Sequence, residues 1–156
     1  MFTAPAEAAA SFAITFVTTP DANLSNGDTL APDNYDVVTI ANNATVTLSA
    51  GTFNIDQFLI GKGVTINASG AVIINTNEFV YSGGGDGNIT INSGGDPADF
   101  IVNIYDGHNA EFDIEDGSSF TGIIFSSFSD TTIEIDDGNT FTGAIFSNGD
   151  VDLKDG

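Results

Sequence analysis

Phe120-Thr121-Gly122-Ile123-Ile124-Phe125-Ser126 and Phe141-Thr142-Gly143-Ala144-Ile145-Phe146-Ser147 are two copies of one phrase, set 21 residues apart. Between and before them a second phrase recurs at the same distance, Phe112-Asp113-Ile114-Glu115-Asp116-Gly117 and Ile133-Glu134-Ile135-Asp136-Asp137-Gly138. A fixed period near 20 residues is the mark of stacked structural units. The fold is decided here, because unrelated strands have no reason to repeat.

In a looser form the second phrase, apolar-polar-apolar-polar followed by Gly, occurs six times. Its starts are Val46, Val64, Ile89, Phe112, Ile133 and Val151, separated by 18, 25, 23, 21 and 18 residues. Alternation of period two predicts a strand with one dry and one wet face. The glycine supplies a backbone able to turn at positive φ. Insertions fall in Gly, Asp, Ser and Asn runs, which a coil absorbs as loops. The expected fold is all-β: a single-domain β-solenoid, or parallel β-helix, of about six coils over residues 35–156. An antiparallel sandwich also accommodates many short strands, but it does not require the recurrence.

Each coil is expected to hold three strands. One set is Val37–Ile40, Gln57–Ile60, Glu78–Tyr81, Val102–Tyr105, Ile123–Phe125 and Ala144–Phe146. The six-copy phrase is the second. The third is Phe53–Ile55 and Val72–Ile74, reduced to the anchors Phe120 and Phe141. Ile66, Ile91, Ile114 and Ile135 are expected to line up inside. Gly83–Gly87 and Asn92–Pro97 are expected to protrude. Residues 1–34 read as an extension in which 11–18 alternate as a strand without a coil, and Pro20–Asn34 read as a loop.

Composition bounds the function. The 156 residues suit one domain. Thirteen Phe and dense Ile and Val exclude the disordered class. With 22 Asp and Glu against two Lys and no Arg, the net charge is −20. Such a chain cannot neutralise phosphates, which excludes nucleic acid, and anionic lipid headgroups are excluded likewise. There is no cysteine, hence no disulfide. No apolar run is long enough to insert in a membrane. The start, Met1–Ala10, lacks the basic, strongly apolar pattern of a signal peptide. Placement outside the cell or at its surface would then need a leader beyond this sequence.

The wet positions change character along the chain. Thr45, Thr47, Thr65, Asn67, Thr90 and Asn92 form an expected neutral ladder, a candidate face for ice or another surface. Asp113, Glu115, Glu134, Asp136 and Asp152 form an acidic one, with Asp116, Asp137 and Asp155 at the turns. Carboxylates about 5 Å apart repel unless a cation sits between them. Calcium suits oxygen ligands in that geometry, and a solvated acidic surface is the plainer alternative. Neither the EF-hand loop nor the calcium nonapeptide is present. No enzyme is expected. His108 is the single histidine and has no His or Cys partner for a metal site. The many carboxylate pairs single out no acid and nucleophile, no Ser-His-Asp set stands out, and Gly83–Gly87 precedes no Lys, so it is not a phosphate loop. Lyases acting on acidic sugars would need basic residues that this chain lacks.

The run Asn92–Phe100 leading into Phe120–Phe125 and Phe141–Phe146 resembles a β-solenoid domain of bacterial surface proteins, of the pilus-associated and adhesin-like kind. The resemblance spans about residues 35–156 and implies a non-enzymatic extracellular protein. Leu30-Ala31-Pro32-Asp33-Asn34-Tyr35 with the Thr-rich strands after it is similar to ice-binding β-solenoids, without their companion helix. Val151–Leu153 lies mid-repeat with no polar cap after it, and uncovered strand edges invite pairing. Together these readings predict a structural protein that joins head to tail into a filament, with Phe12, Ile14 and Phe16 as the linking strand. The partner expected is the chain itself.

Overall fold

A computed structural model describes residues 20–81, 88–105, 111–114, 117–129, 131–135 and 138–154. Its strands are β1 (Ala22–Leu24), β2 (Thr29–Leu30), β3 (Asn34–Ile40), β4 (Thr45–Leu48), β5 (Gly51–Ile60), β6 (Thr65–Ala68) and β7 (Val72–Tyr81). There follow β8 (Thr90–Ile91), β9 (Phe100–Ile104), β10 (Glu111–Ile114), β11 (Ser119–Ser126), β12 (Thr132–Ile135), β13 (Thr140–Ser147) and β14 (Asp150–Leu153). Every strand pairing among them is parallel. The chain is a β-solenoid of about five turns. Among the described residues no helix is long and apolar enough to cross a membrane.

Register divides each turn into three sides. The first stacks Val46, Ile66, Ile91, Phe120 and Phe141 in one inward column. On the second, Phe53, Ile74, Val102, Ile124 and Ile145 stack in the same way. On the third, Val38, Phe58 and Phe79 stack above, and below them β10, β12 and β14 form their own three-stranded sheet. β5 and β7 span the second and third sides without a break, bending at Asp56 and Asn77, where the ladder skips one residue. The Asn77 amide donates to Asp56 Oδ1 at 2.7 Å, tying two successive bends together.

The columns meet in one core. Phe53, Phe58, Phe100, Phe120 and Ile124 are among its fully buried side chains. Phe100 and Phe120 pack edge to face with centroids 6.0 Å apart, and Phe120 stacks on Phe141 at 5.5 Å. Aromatic pairs in either arrangement contribute beyond their buried area.

The Phe-Thr-Gly phrase is the corner from first side to second. A Cβ on Gly122 would sit 2.5 Å from the Phe100 carbonyl oxygen, and one on Gly143 only 1.7 Å from that of Gly122. Here coils approach so closely that only glycine fits. Upper coils turn the same corner with more residues, through Ser49 and Ala50 or through Ser69, Gly70 and Ala71.

Three expectations change. First, Pro20–Asn34 is not a loop. β1 pairs with β3 and β2 with β4, burying Leu24 and Leu30, so two very short strands add a partial coil above Tyr35. They carry too few apolar residues for alternation to register. Second, β9 stacks under Val72–Thr76, so Val102–Ile104 belong to the second side rather than beneath Glu78–Tyr81. Phe53 likewise pairs with Ile74, not Val72. Third, the six-copy phrase does not form one column. Ile66 stacks on Ile91 and Ile114 on Ile135, but the neighbour below Ile91 is Phe120. Residues 11–18, 83–87 and 108 lie outside the described set.

Candidate functional site

The third change separates two ladders that the sequence alone placed on one face. On the first side the outward column is Thr45, Thr65, Thr90, Ser119 and Thr140, five residues deep. Thr29, Thr47 and Asn67 make a second column beside it. Strand spacing sets neighbours in a column about 4.8 Å apart, and residues two apart along a strand about 6.7 Å. The result is a regular hydroxyl-bearing face without a carboxylate in either column. Ser119 and Thr140 were missed because their strands begin with a different phrase. The signal that finds them is the period itself, since each lies one residue before the Phe of Phe-Thr-Gly.

Asn92 leaves that face. Its backbone is left-handed (φ 49°), it is buried, and its amide donates to the Thr121 carbonyl at 3.1 Å. It pins the loop into Pro97–Asp99, a short 3-10 turn whose first N–H groups are capped by Asp96, Oδ1 accepting from Ala98 N at 2.9 Å.

The acidic ladder occupies the third side of the lower coils. Asp113, Glu134 and Asp152 stack in one column. Beside it Glu111, Thr132 and Asp150 form a second, broken by the threonine. Lys154 forms an ion pair with Glu134 in the coil above. Both side chains reach solvent, so the pair contributes little to stability. Glu115, Asp116, Asp136, Asp137 and Asp155 lie outside the described residues. Among those described, no group of three or more His, Cys, Asp or Glu is placed to hold a metal ion.

The second side carries a ladder of another kind. Asn54 Nδ2 donates to Asn34 Oδ1 at 2.7 Å, Asn75 to Asn54 at 2.8 Å, and Asn103 to Asn75 at 2.8 Å. Below Asn103 the same column continues as Phe125 and Phe146.

The last described coil is the remaining feature. β13 pairs only with β11 and β14 only with β12, so among the described residues their lower edges are unpaired. Phe146, Val151 and Leu153 are exposed there, Leu153 to 61%. Ile135, Phe141, Ile145, Val151 and Leu153 help to line an open cavity of about 940 Å³. In the coils above, Phe120, Ile124, Ile133 and Ile135 at the equivalent inward positions are buried. Comparison with family models, curated proteins and solved structures gives no match. The geometry therefore carries the functional argument alone.

Proposed function

We propose that this is a non-enzymatic extracellular or cell-surface structural protein whose coils continue, head to tail, into those of a second copy. The observation that supports this is the last described coil, which among the described residues has two unpaired parallel edges around an apolar opening of about 940 Å³. Unpaired N–H and C=O groups on a flat edge are a template for another strand, and exposed contiguous apolar surface marks an interaction site. A contact of this heterologous kind does not close and so propagates. In this reading the alternating sequence around Phe12, Ile14 and Phe16 is the segment that would lay onto the edge of the next copy. Self-repulsion at net −20 opposes association, and salt screens it. The resemblance to solenoid domains of bacterial surface proteins agrees with this reading. Electron microscopy and sedimentation of the full chain test it: filaments should form and lengthen with added salt. Removal of residues 1–18 should leave unassembled particles, and filaments unchanged by that deletion would refute the linking strand.

A second reading is favoured by one observation, the five-deep column from Thr45 to Thr140. A regular hydroxyl face on a stiff solenoid suits an ordered surface, ice included. Thermal hysteresis of the purified protein tests it, and replacement of Thr65 and Thr90 by Lys should abolish any effect seen. Zero hysteresis in the unmodified chain removes the ice form of this reading.

A further inference from the structure

The place where the asparagine ladder meets Phe125 has the parts of a binding site. A notch of about 290 Å³ opens there, lined by Asn103, Ile104, Tyr105, Phe125 and Ser127. Phe146 covers one face of the Phe125 ring, with centroids 4.8 Å apart and planes 10° from parallel. The notch lies on the other side, toward Asn103. In the ladder each amide passes one N–H to the carbonyl oxygen of the coil above. Asn103 is the last member, and its Oδ1 receives no hydrogen bond among the described residues. An aromatic ring and an open acceptor therefore border one small cleft, with a serine beside them.

Charge selects the class of ligand. No residue of 51–55, 72–76, 100–104, 123–126 or 144–147 is charged, in a chain with 22 carboxylates. Anions are repelled by the molecule as a whole. Cations find the carboxylates of the third side, and among the described residues no carboxylate lines the notch to hold one. A purely apolar group would leave the Asn103 oxygen desolvated and unpaired, which is costly. A neutral pyranose satisfies each requirement, with C–H groups on one face for the ring and hydroxyl donors at its rim for the amide.

We propose that this notch binds one neutral sugar unit of a glycan chain, its C–H face against Phe125 and a hydroxyl donating to Asn103 Oδ1. The site is on a different side from the hydroxyl columns and one coil above the edge of β13, and its ligand is a glycan rather than a second copy, so retardation by a neutral polymer tests it separately from the functions proposed above. Affinity electrophoresis of the full chain through gels holding soluble glucan, mannan or glycol chitin, with polygalacturonate as the charged control, tests it. At least one neutral polymer should retard the protein, equally between about 0.05 and 0.5 M salt, since no ion pair is involved. Phe125→Ala should weaken retardation by about tenfold or more, and Asn103→Ala by a smaller factor. Thr39→Ala, on the third side, should change nothing. Circular dichroism checks that each variant is folded. The proposal is overturned if no neutral polymer retards the protein or if folded Phe125→Ala binds as the parent does. It is also overturned if sedimentation shows that Phe125 and Phe146 instead pair two copies of the chain.

Discussion

The upper and lower coils carry the same alternating phrase on different sides of the solenoid. Val64–Asn67 and Ile89–Asn92 run along the first side, whereas Phe112–Ile114 and Ile133–Ile135 run along the third. Among the closing glycines, Gly51 at φ 141° and Gly70 stand apart, while Gly94 on the first side, at φ 74°, matches those of the lower coils. Gly70 sits at φ 153°, in the corner between first and second sides. Gly117 and Gly138 sit at φ 76°, as do Gly63 at 69° and Asn43 at 59° in the corner between third and first. A phrase thus specifies a strand and a turn, and like stacks on like in the next coil. It does not specify which side of the coil it builds. The 25-residue step from Val64 to Ile89 leaves the side unchanged, and the switch falls in the next step, between Ile91 on the first side and Glu111 on the third.

The comparison can be broken most sharply at its two equivalent phenylalanines. Phe120 is buried between coils, while Phe141 is half-buried in the last one. Phe120→Ala should cost about 3–5 kcal/mol by leaving a cavity in a core that collapses poorly. Phe141→Ala should cost about 1 kcal/mol in the isolated chain, because much of its area already meets solvent. If copies join at this end, the second figure should rise under assembling conditions, since Phe141 would then be covered. Urea denaturation of both variants, with and without salt, measures the gap. Equal costs in dilute monomer would contradict the exposed last coil.

A second test separates the two corners. Asn tolerates the left-handed region far better than other non-glycine residues, and Asn43 already occupies it. Gly138→Asn should therefore cost about 1 kcal/mol or less. Gly70→Asn should cost about 2 kcal/mol, because φ 153° suits glycine almost alone and the new Cβ would meet that of Ala50 at 3.1 Å. Thermal melts of the two variants compare them directly, and a reversed order would place the phrase glycines in one corner after all.

Legibility follows from the same contrast. The alternation and the 21-residue spacing reveal the solenoid, because a stacked coil must present the same apolar positions to its neighbours. Inward Ile74, Val102 and Ile124 were readable as strand residues, but the side they occupy was not, since no local signal marks phase. Loops of unequal length hide it. The phrase alone makes the neutral ladder give way to carboxylates, whereas the register continues it through Ser119 and Thr140 and turns Asn92 inward. β1 and β2 escaped for another: strands of three and two residues leave no period to detect.

Calcium sharpens the difference between the third side's two halves. Above, Gln57 Nε2 donates to Glu78 Oε2 at 2.7 Å, so polar groups are already matched. Below, Asp113, Glu134 and Asp152 stack with Lys154 as a partner for one of them. We propose that millimolar calcium raises the melting temperature by a few degrees, through weak sites in the lower coils. Chelator should reverse the rise, and Asp152→Asn should reduce it. A melting curve indifferent to both leaves a merely solvated acidic surface.

The smallest effect lies at the top of the stack. Tyr35 donates its hydroxyl to the Ala31 carbonyl at 2.9 Å. Burial, followed by the charge of Asp33, raises its pKa above the usual 10.0. A raised folded pKa favours the neutral phenol, so this contribution is whole below pH 10 and is lost as pH climbs through the folded value. Stability should decline slightly at alkaline pH, and Tyr35→Phe should flatten that decline. An identical alkaline slope in the variant would assign it to other groups.

Because every ladder joins one coil to the next, the backbone hydrogen bonds lie along the stacking direction. Tension applied to the two ends meets these bonds one coil at a time, as in peeling. The longest seam, where Gly51–Ile60 lies against Val72–Tyr81, is in the middle of the upper half. The shortest seams, two residue pairs each, are at Thr29–Leu30 near the top and at Thr90–Ile91 in the middle, while the last coil is held by the eight pairs of Ser119–Ser126 with Thr140–Ser147. Under load the molecule should part first where its paired strands are shortest and hold longest where Gly51–Ile60 and Val72–Tyr81 run together.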